Sequence, residues 1–502
     1  MGRTKKAAKN VATGLFNKAA LMLLAFVTKT VFIRLLGAEY NGVSSLYTNI
    51  LSVLALAELG VGNVLMFYLY SALDTGNEEE ICALVYEFKK IYNAIIVCVL
   101  TIGLALVPFL QFLVNSSLNR TELIVYYLLY LANSVASYFV VYRTTVVKAD
   151  QNEYILNNIS TVSTVMMYIL QLGFLFKYRN FLGYLIIQVA CTIFNNLVQN
   201  YIAVKKYPYL KNKTIVKAHL DKRALFGNVK ATFLFKVSDT ILDQTDNIII
   251  SAMIGTVAVG MYSNYYMLIV YLVNIAGIIA NGMVASYGNL YVKGSTEKNH
   301  TMFKVSMLLF SLYGTVCSVC YICLIQDFIP IWVGKQYLMG NDLVYAIIVV
   351  FYLRMVTNTV WIYRSAMGLF KEVQYINVVA AVLNVILSIM LGKKLGVSGI
   401  IIATAISRLL TSFWYEAKIV YDKLKEPVIE YYLIQIKELI LTIIITVVCV
   451  SATKKIVIDG IAGILMKLSA CIVICCFGEY VIHRKNSEYR FLINKIKHLR
   501  KE

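Results

Sequence analysis

The feature that most constrains this chain is a series of long, nearly charge-free apolar runs that recurs to the C-terminal region. A helix of about 20 apolar residues crosses the hydrocarbon core of a bilayer with its backbone hydrogen bonds satisfied internally. Of the 502 residues, 59% are hydrophobic and 15% are charged, which is too much apolar surface for a water-soluble protein of this size to bury. The sequence therefore predicts an all-α polytopic membrane protein.

About fourteen transmembrane helices are predicted from these runs. Their approximate limits are 11–36, 42–71, 91–114, 122–146, 154–177, 180–204, 225–254, 257–287, 303–326, 338–363, 372–392, 396–420, 432–453 and 461–483. The basic start MGRTKKAAKNVATGLF leads into an apolar stretch that continues to about Leu36 and contains charged residues. A signal peptide has a short apolar core and a cleavage site, so we interpret this stretch as an uncleaved first membrane helix.

The net charge of +20 is explained by membrane topology. An even number of spans places both termini on one side of the membrane, and the basic residues concentrate in the connecting segments of that side. The largest contributors are residues 205–223 and the tail 483–502. Because Lys and Arg are enriched in cytoplasmic loops, we expect both termini to be cytoplasmic.

The cysteines and histidines indicate no metal site and no cofactor. All ten cysteines except Cys82 lie in apolar runs, where a thiol behaves as a small hydrophobe, and the run CSVCYIC is interpreted as packing. All four histidines lie in or beside polar connecting segments. The outside loops are short, and no zinc-protease, P-loop or glycosyltransferase motif is present. We therefore expect a protein that is not an enzyme.

The chain also contains an internal repeat. A shift of 218 residues aligns 9–24 with 227–242 and 37–47 with 255–265, with nine identities over about 45 positions. Six spans separate the copies, so the repeat is parallel. We expect an N-terminal lobe (1–204), a basic cytoplasmic linker (205–224), a C-terminal lobe (225–420), spans 13 and 14 (421–483) and a basic cytoplasmic tail (484–502). The predicted architecture is two six-helix lobes related by a parallel repeat, plus two C-terminal helices.

Charged residues inside membrane helices are the candidate functional residues, because each costs roughly 2.5–3.5 kcal/mol at the bilayer centre and so faces a cavity or a partner. In span 7, four of them share one helical stripe: Lys236, Asp239, Asp243 and Asp246. In span 1, Lys18 and Lys29 are three turns apart on one face. Ion pairing near the cytoplasmic end is the simplest reading for Lys236 and Asp239. For Asp243 and Asp246 we favour a cavity-facing or ion-coupling role.

Further intramembrane charges and polar residues complete the set. The charges are Arg34, Glu58, Arg143, Arg354, Arg364 and Arg408. Arg143 and Arg364 lie near span ends, where reaching to the interface is the simplest reading, and Arg34 lies near the outer interface. Asn377 and Asn384 share one face of span 11, and Thr404 and Ser407 of span 12 can face them. Helix–helix hydrogen bonding is the simplest reading there, and an oxygen-ligand site for a small cation, shared with Asp243 or Asp246, is the alternative.

Two segments carry a family resemblance. FIRLLGAEYNGVSSLYTNILSVLALAELGVGNVLMFYLYSAL (32–73) resembles the opening of the Wzx-type oligosaccharide flippases, and DQTDNIIISAMIGTVAVGMYSNYYML (243–268) resembles their seventh helix. These flippases belong to the multidrug/oligosaccharidyl-lipid/polysaccharide exporter superfamily. The resemblance implies fourteen helices with two six-helix lobes around a central cavity. It also implies a substrate made of undecaprenyl pyrophosphate and an oligosaccharide repeat unit for O-antigen, capsule or exopolysaccharide assembly.

The resemblance implies roles for the candidate residues. The lipid II flippases of the same superfamily suggest a cationic cavity, here Lys18, Lys29, Arg34, Lys236 and Arg354. They also suggest a cation site that involves the seventh helix. Our candidates for coupling Na⁺ or H⁺ are Asp239, Asp243, Asp246, Asn377 and Asn384.

The resemblance also implies a location and partners. The protein is expected in the bacterial inner membrane as a monomer, with membrane lipid and the lipid-linked oligosaccharide as its partners. A polysaccharide polymerase and chain-length machinery are further candidate partners. Nucleic acid is not expected as a partner. A multidrug/cation antiporter of the same superfamily and a membrane polysaccharide polymerase are the alternative functions.

Overall fold

The structure is a computed structural model that describes residues 3–55, 61–211 and 222–499. Nearly all of these residues are helical, and no strand occurs among them. The predicted all-α class is therefore confirmed. Of the candidate functional residues, Glu58 lies outside the described residues, and so do the side chains of Lys18, Lys236 and Asp239.

The chain forms two compact units, Met1–Gly260 and Met261–Glu502. The described residues of the first unit form ten helices and the start of an eleventh. Their bounds are α1 Arg3–Leu36, α2 Ala38–Leu54, α3 Val61–Asp74, α4 Glu78–Leu106, α5 Leu110–Leu113, α6 Arg120–Ala136, α7 Val141–Ala149, α8 Glu153–Tyr178, α9 Phe181–Lys206, α10 Lys222–Met253 and α11 Thr256–Lys293. Short 3₁₀ helices occur at Val107–Phe109 and Pro208–Lys211.

The second unit contains the remainder of α11 and the helices that follow it. Their bounds are α12 Thr296–Trp332, α13 Asn341–Ala366, α14 Phe370–Leu410, α15 Ser412–Leu424, α16 Ile429–Thr453, α17 Gly460–His483 and α18 Ser487–Leu499. A 3₁₀ turn at Lys335–Tyr337 joins α12 to α13. Helix α18 was not predicted from the sequence. It is an amphipathic helix of 13 residues in the basic tail, and a helix of this length is too short to span a membrane.

Helix ends follow from polar residues in the connecting segments. The side chains of Asn77, Asn119 and Asn180 accept hydrogen bonds from backbone N–H groups in the first turns of α4, α6 and α9. These N–H groups have no partner inside the helix, so an asparagine cap stabilises the helix start. The sequence therefore determines locally where several of these helices begin.

Most predicted spans coincide with one helix, and span 2 covers α2 and α3. Span 4 consists of α6 and α7, which are bent by 42°. Spans 11 and 12 lie in the continuous run α14–α15, and Gly396, with φ 62° and ψ −141°, separates them. In the described part of the chain, 9 helices are long and apolar enough to cross a membrane, or up to 10 if the bent pair counts as one span. This number is compatible with the predicted fourteen.

The compact units and the predicted lobes divide the chain differently. In the structure, α10 belongs to the first compact unit, together with the helices that precede it. The sequence repeat pairs the same segment with the first helix and so assigns it to the second lobe. The lobe boundary at 205–224 therefore stays a prediction.

Buried tyrosines provide polar contacts inside the helix packing. The Tyr47 hydroxyl donates to the carbonyl oxygen of Leu123 at 2.9 Å, and the Tyr127 hydroxyl donates to that of Gly103 at 2.9 Å. The cysteines also belong to the packing, because all ten are free thiols. Cys449, Cys471 and Cys475 are buried in one apolar cluster between helices.

Candidate functional site

The first helix presents one half-buried cation. The Lys29 ammonium lies 5.4 Å from the ring centre of Phe32, and no ion pair to a described carboxylate is found for it. Arg34 follows near the end of α1 and is exposed. A half-buried ammonium beside an aromatic face keeps an attraction for anions when none of the carboxylates that the structure describes neutralises it. Lys29 is therefore suited to contact an anionic group.

The acidic stripe of α10 includes an amide that the sequence analysis did not single out. Asp243 and Asp246 are half-buried, and Asn247 beside them is buried. The side-chain oxygen of Asn247 has no hydrogen-bond partner among the described residues. The sequence could have identified Asn247 by its spacing of four residues from Asp243, since residues at i and i+4 share a helix face. Carboxylate and amide oxygens are ligands that hard cations prefer.

Arg364 takes part in a buried ion pair rather than reaching to the membrane interface. Its guanidinium donates to Glu416 at 2.5 Å, and only 2% of the residue is exposed. Asn377 donates to the same Glu416 oxygen at 3.3 Å. An arginine and an amide thus converge on one carboxylate of α15. Glu416 was missed from the sequence, because its partners lie 52 and 39 residues away.

Asn384 connects the two helices on either side of Gly396. Its amide donates to the Thr404 hydroxyl at 2.9 Å, and the Ser407 hydroxyl donates to the Thr404 carbonyl oxygen at 3.0 Å. Asn384, Thr404 and Ser407 are all buried. This is the helix–helix hydrogen bonding that the sequence allows for these residues. The cation site that would include Asp243 or Asp246 stays a prediction.

A basic pocket lies in the first unit between α7, α9 and the 3₁₀ helix at Pro208–Lys211. Its volume is about 370 Å³, and Arg143, Lys205 and Lys211 contribute three positive charges to its lining. The Arg143 guanidinium donates to the Asn200 side-chain oxygen at 2.7 Å, which orients it. The sequence places Arg143 near a span end. It does not predict the pocket, because the other lining residues come from α9 and the 3₁₀ helix, more than 50 residues further along the chain. Such a pocket can bind a phosphate group, because guanidinium and ammonium groups donate charge-assisted hydrogen bonds to its oxygens.

The two remaining arginines lie in the second unit. Arg354 is half-buried in the middle of α13, and Arg408 is half-buried in the last turn before Thr411. Both side chains take part in interactions with neighbouring residues. The predicted role of Arg354 in binding cargo stays a prediction.

The fold is shared with solved lipid flippases and drug exporters. A lipid II flippase, MurJ, in an inward closed conformation superposes with a TM-score of 0.64 at 14% identity, over 94% of this chain and 98% of that one. An inward-facing multidrug resistance MATE transporter of the MOP superfamily gives 0.61 at 14% identity, over 81% and 95%. A Vibrio cholerae MATE transporter variant gives 0.54 at 15% identity, over 85% and 98%. A search of curated protein sequences finds no match.

These similarities define the class of the fold: the chain has the all-α fold of the lipid II flippase MurJ and of MATE family transporters. The model of a protein family described as "Polysaccharide biosynthesis protein" matches residues 7–285, more than half of the chain. The chain belongs to this family. The family and the fold both agree with the resemblance stated from the sequence.

Proposed function

We propose that the protein is a flippase for undecaprenyl-pyrophosphate-linked oligosaccharide repeat units. It moves them from the inner to the outer leaflet of the bacterial cytoplasmic membrane by alternating access, with both termini in the cytoplasm. Membership of the polysaccharide biosynthesis family supports a glycan pathway. A structural relative that flips a lipid-linked precursor, lipid II, supports this kind of cargo.

The observation that carries the proposal is the half-buried Lys29 ammonium, which no described carboxylate neutralises. A pyrophosphate headgroup cannot enter hydrocarbon without replacement of its water, because desolvating an ion is expensive. A cation on the first helix can replace part of that water while the polyprenyl tail stays in lipid. A transporter of cationic drugs needs acids in this position instead.

The basic pocket around Arg143 supports the same cargo chemistry. Two of its cations, Lys205 and Lys211, lie in the segment that the positive-inside rule assigns to the cytoplasm, and Arg143 of α7 lines the same pocket. A pyrophosphate that arrives from the cytoplasmic leaflet meets positive charge there before it reaches Lys29. We propose that this pocket is the first contact of the headgroup.

We further propose that Asp243, Asp246 and Asn247 take the coupling cation or proton. The carboxylates are half-buried on one helix, and the amide oxygen beside them is buried. Movement of a charged cargo needs a free-energy source, and a cation gradient provides it through groups that bind a cation in one conformation better than in another.

The first experiment locates the cargo in a deletion strain. An impermeant sugar-oxidising or lectin probe is applied to intact spheroplasts, and the accessible fraction of undecaprenyl-linked oligosaccharide is measured. Accumulation in the inner leaflet, relieved by the wild-type gene, supports the flippase. Units that are already outside but unpolymerised contradict it and favour a polymerase.

The second experiment tests Lys29 in the same assay. Lys29→Ala is expected to abolish export while the protein stays in the membrane, and Lys29→Arg is expected to retain part of it. The matched control is Lys177→Ala, because the Lys177 ammonium also lies near an aromatic ring, 5.1 Å from that of Tyr178, but at the exposed end of α8. Normal surface glycan in Lys29→Ala cells contradicts the cationic-cavity proposal.

A multidrug/cation antiporter is the second candidate, and the half-buried acids of α10 favour it. Everted vesicles distinguish the two. Uptake of cationic dyes that depends on Asp243 or Asp246, without any effect on lipid-linked oligosaccharide, would support the antiporter.

A further inference from the structure

Two glutamates and a histidine lie close together inside the second unit. All three come after the candidate functional residues described above in the sequence. Glu438 lies on α16, and Glu479 and His483 lie one turn apart on α17. All three are buried, and His483 is 0% exposed. One ligand atom from each lies within 4.8 Å of the other two. No metal site was predicted from the sequence, because His483 lies beside a polar connecting segment and its two acidic neighbours look like isolated charges.

The two carboxylates face the same nitrogen of His483. Its Nε2 lies 3.1 Å from Glu479 Oε2 and 3.4 Å from Glu438 Oε2. A single N–H can point at only one of these oxygens, and neither contact has hydrogen-bond geometry. Nε2 and Glu479 Oε2 have no hydrogen-bond partner among the described residues. Buried polar atoms normally have partners, so this arrangement calls for a third species between them.

A second histidine of the same unit shows what an ordinary His–Glu arrangement looks like. His300 directs Nδ1 to Glu426 at 3.5 Å and Nε2 to Glu430 at 2.7 Å, so each carboxylate has its own ring nitrogen. Lys304 pairs with Glu430 at 2.5 Å and adds a positive charge. The His300 group is satisfied by protons alone. The His483 group differs because one nitrogen faces both acids.

The charge around His483 leads to the same conclusion. Neutral hydroxyl groups lie near Glu438: the Ser311 hydroxyl donates to its carboxylate at 3.3 Å, and the Thr442 hydroxyl, one turn further along α16, contacts that of Thr315 at 2.7 Å. No lysine or arginine of the described residues forms an ion pair with Glu438 or Glu479. Two buried carboxylates need two positive charges, and a protonated imidazole supplies one. A divalent cation supplies both.

We propose that Glu438, Glu479 and His483 bind a divalent transition-metal ion, with Zn²⁺ as the best fit. Ligand atoms at 2.0–2.1 Å from a tetrahedral zinc ion are about 3.3 Å apart, which agrees with the two distances at Nε2. Imidazole and carboxylate are ligands for such ions, and water can occupy the fourth position. Alkali cations fit poorly, because they prefer oxygen ligands throughout.

Asn486 is the positioning residue of this site. Its amide lies 3.1 Å from His483 Nδ1, on the opposite side of the ring from the acids. A metal-bound imidazole donates its other N–H to an acceptor, and the side-chain oxygen of Asn486 provides one when the amide is turned by 180°. The Tyr489 ring, 6.2 Å from the imidazole between centres, stacks on His483 from α18.

The expected role of the ion is structural. It joins α16 to α17, and the hydrogen bond from Ser311 connects its ligand Glu438 to α12. The two C-terminal helices would thereby be fixed to the rest of the second unit. Because the ligands come from two helices, the free energy of metal binding would add to the stability of the packed helices.

The test measures metal content of the full-length protein, purified in detergent without chelator and then incubated with Zn²⁺ and washed. About one zinc ion per chain is expected, and Glu438→Gln, Glu479→Gln and His483→Gln are each expected to lose it. Asn486→Ala is expected to weaken zinc affinity by about 10–100-fold. His300→Gln is the matched control and should retain the zinc ion.

Two further measurements keep the test decisive if a glutamine variant fails to fold. Zinc-edge X-ray absorption of the wild type should show N/O ligands at about 2.0–2.1 Å and no sulfur at about 2.3 Å, which distinguishes this site from the nearby cysteines. Chelation should lower the melting temperature of the wild type and of His300→Gln. Wild-type protein that takes up no zinc, or zinc bound through sulfur, would overturn the proposal.

Discussion

Gly42 and Gly260 contact each other reciprocally in the first unit. A Cβ placed on Gly42 would lie 1.8 Å from the Thr256 carbonyl oxygen, and one on Gly260 would lie 1.9 Å from that of Ala38. The repeat shift of 218 residues relates Ala38 to Thr256 and Gly42 to Gly260. Equivalent residues therefore contact each other in the same way, which defines a local two-fold axis at this point.

The glycines before these two helices support the same equivalence. Gly37 and Gly255, also related by the repeat, have φ of 92° and 127°, a region that favours glycine. They end α1 and α10 and allow α2 and α11 to begin immediately. The repeat seen in the sequence therefore corresponds to a repeat in backbone conformation.

The first prediction is that Gly42→Ala and Gly260→Ala both destabilise the protein. Each added methyl group meets a backbone carbonyl that cannot move away without shifting a helix, so we expect a loss of about 1–3 kcal/mol in unfolding free energy. Unfolding in mixed micelles measures it. Gly173→Ala is the control, because a Cβ there meets nothing within 4 Å. Equal stability of Gly42→Ala and Gly173→Ala would refute the close approach.

The second prediction concerns the buried pair of Arg364 and Glu416. Removing either charge leaves the other unpaired in a low-dielectric site, so Arg364→Met and Glu416→Met should each cost about 3–5 kcal/mol. The double variant should cost less than either single one, because it leaves no buried charge. A double-mutant cycle on unfolding free energies checks this. Additive losses would show that the two side chains do not interact.

The third prediction concerns Asp243 and Asp246. Asp243→Asn and Asp246→Asn should slow export and change its dependence on sodium or pH, because the neutral amide no longer binds a cation or proton by charge. Transport of lipid-linked oligosaccharide in vesicles with imposed gradients measures this. Asp327→Asn is the control, because Asp327 pairs with Lys467 at 2.6 Å on a different helix. Unchanged ion dependence in both α10 variants would remove the coupling role.

The fourth prediction is a pH dependence at Glu39, which lies in the segment between the first two predicted spans. Its carboxylate accepts hydrogen bonds from Ser116 and Ser117 at 2.6–2.7 Å. Partial burial raises the pKa of Glu39, but these hydrogen bonds outweigh it, and the pKa lies below its usual value. A lowered folded-state pKa contributes stability above the unfolded-state pKa, and this contribution disappears as the pH falls through the folded-state pKa.

The test of this dependence compares the wild type with Glu39→Gln. The wild type should melt at a higher temperature at neutral pH, and the difference should shrink as the pH falls below about 4. Glu79→Gln, which removes an exposed carboxylate on α4, is the control. A difference in melting temperature that is constant with pH would contradict the role of the carboxylate.

The sequence by itself determined the helical class and the approximate spans, because hydropathy over about 20 residues is a local property. It also revealed the repeat that relates Gly42 to Gly260, and it identified the intramembrane charges, because any such charge is costly in lipid. The helix faces of Asp243 and Asp246 followed from the 3.6-residue period. None of these inferences required knowledge of which helices touch.

Only the tertiary structure decided which polar groups meet. Arg364 forms an ion pair with Glu416, 52 residues away in the sequence, and Ser311 donates a hydrogen bond to Glu438, 127 residues away. Helical periodicity identifies the residues on one face of a helix, but it does not say which neighbour that face contacts. The two acids and His483 look unremarkable in their own segments, and they form a candidate metal site only because packing brings α16 against α17. Long-range helix packing therefore determines the charge balance of each buried group, which no local pattern in the sequence contains.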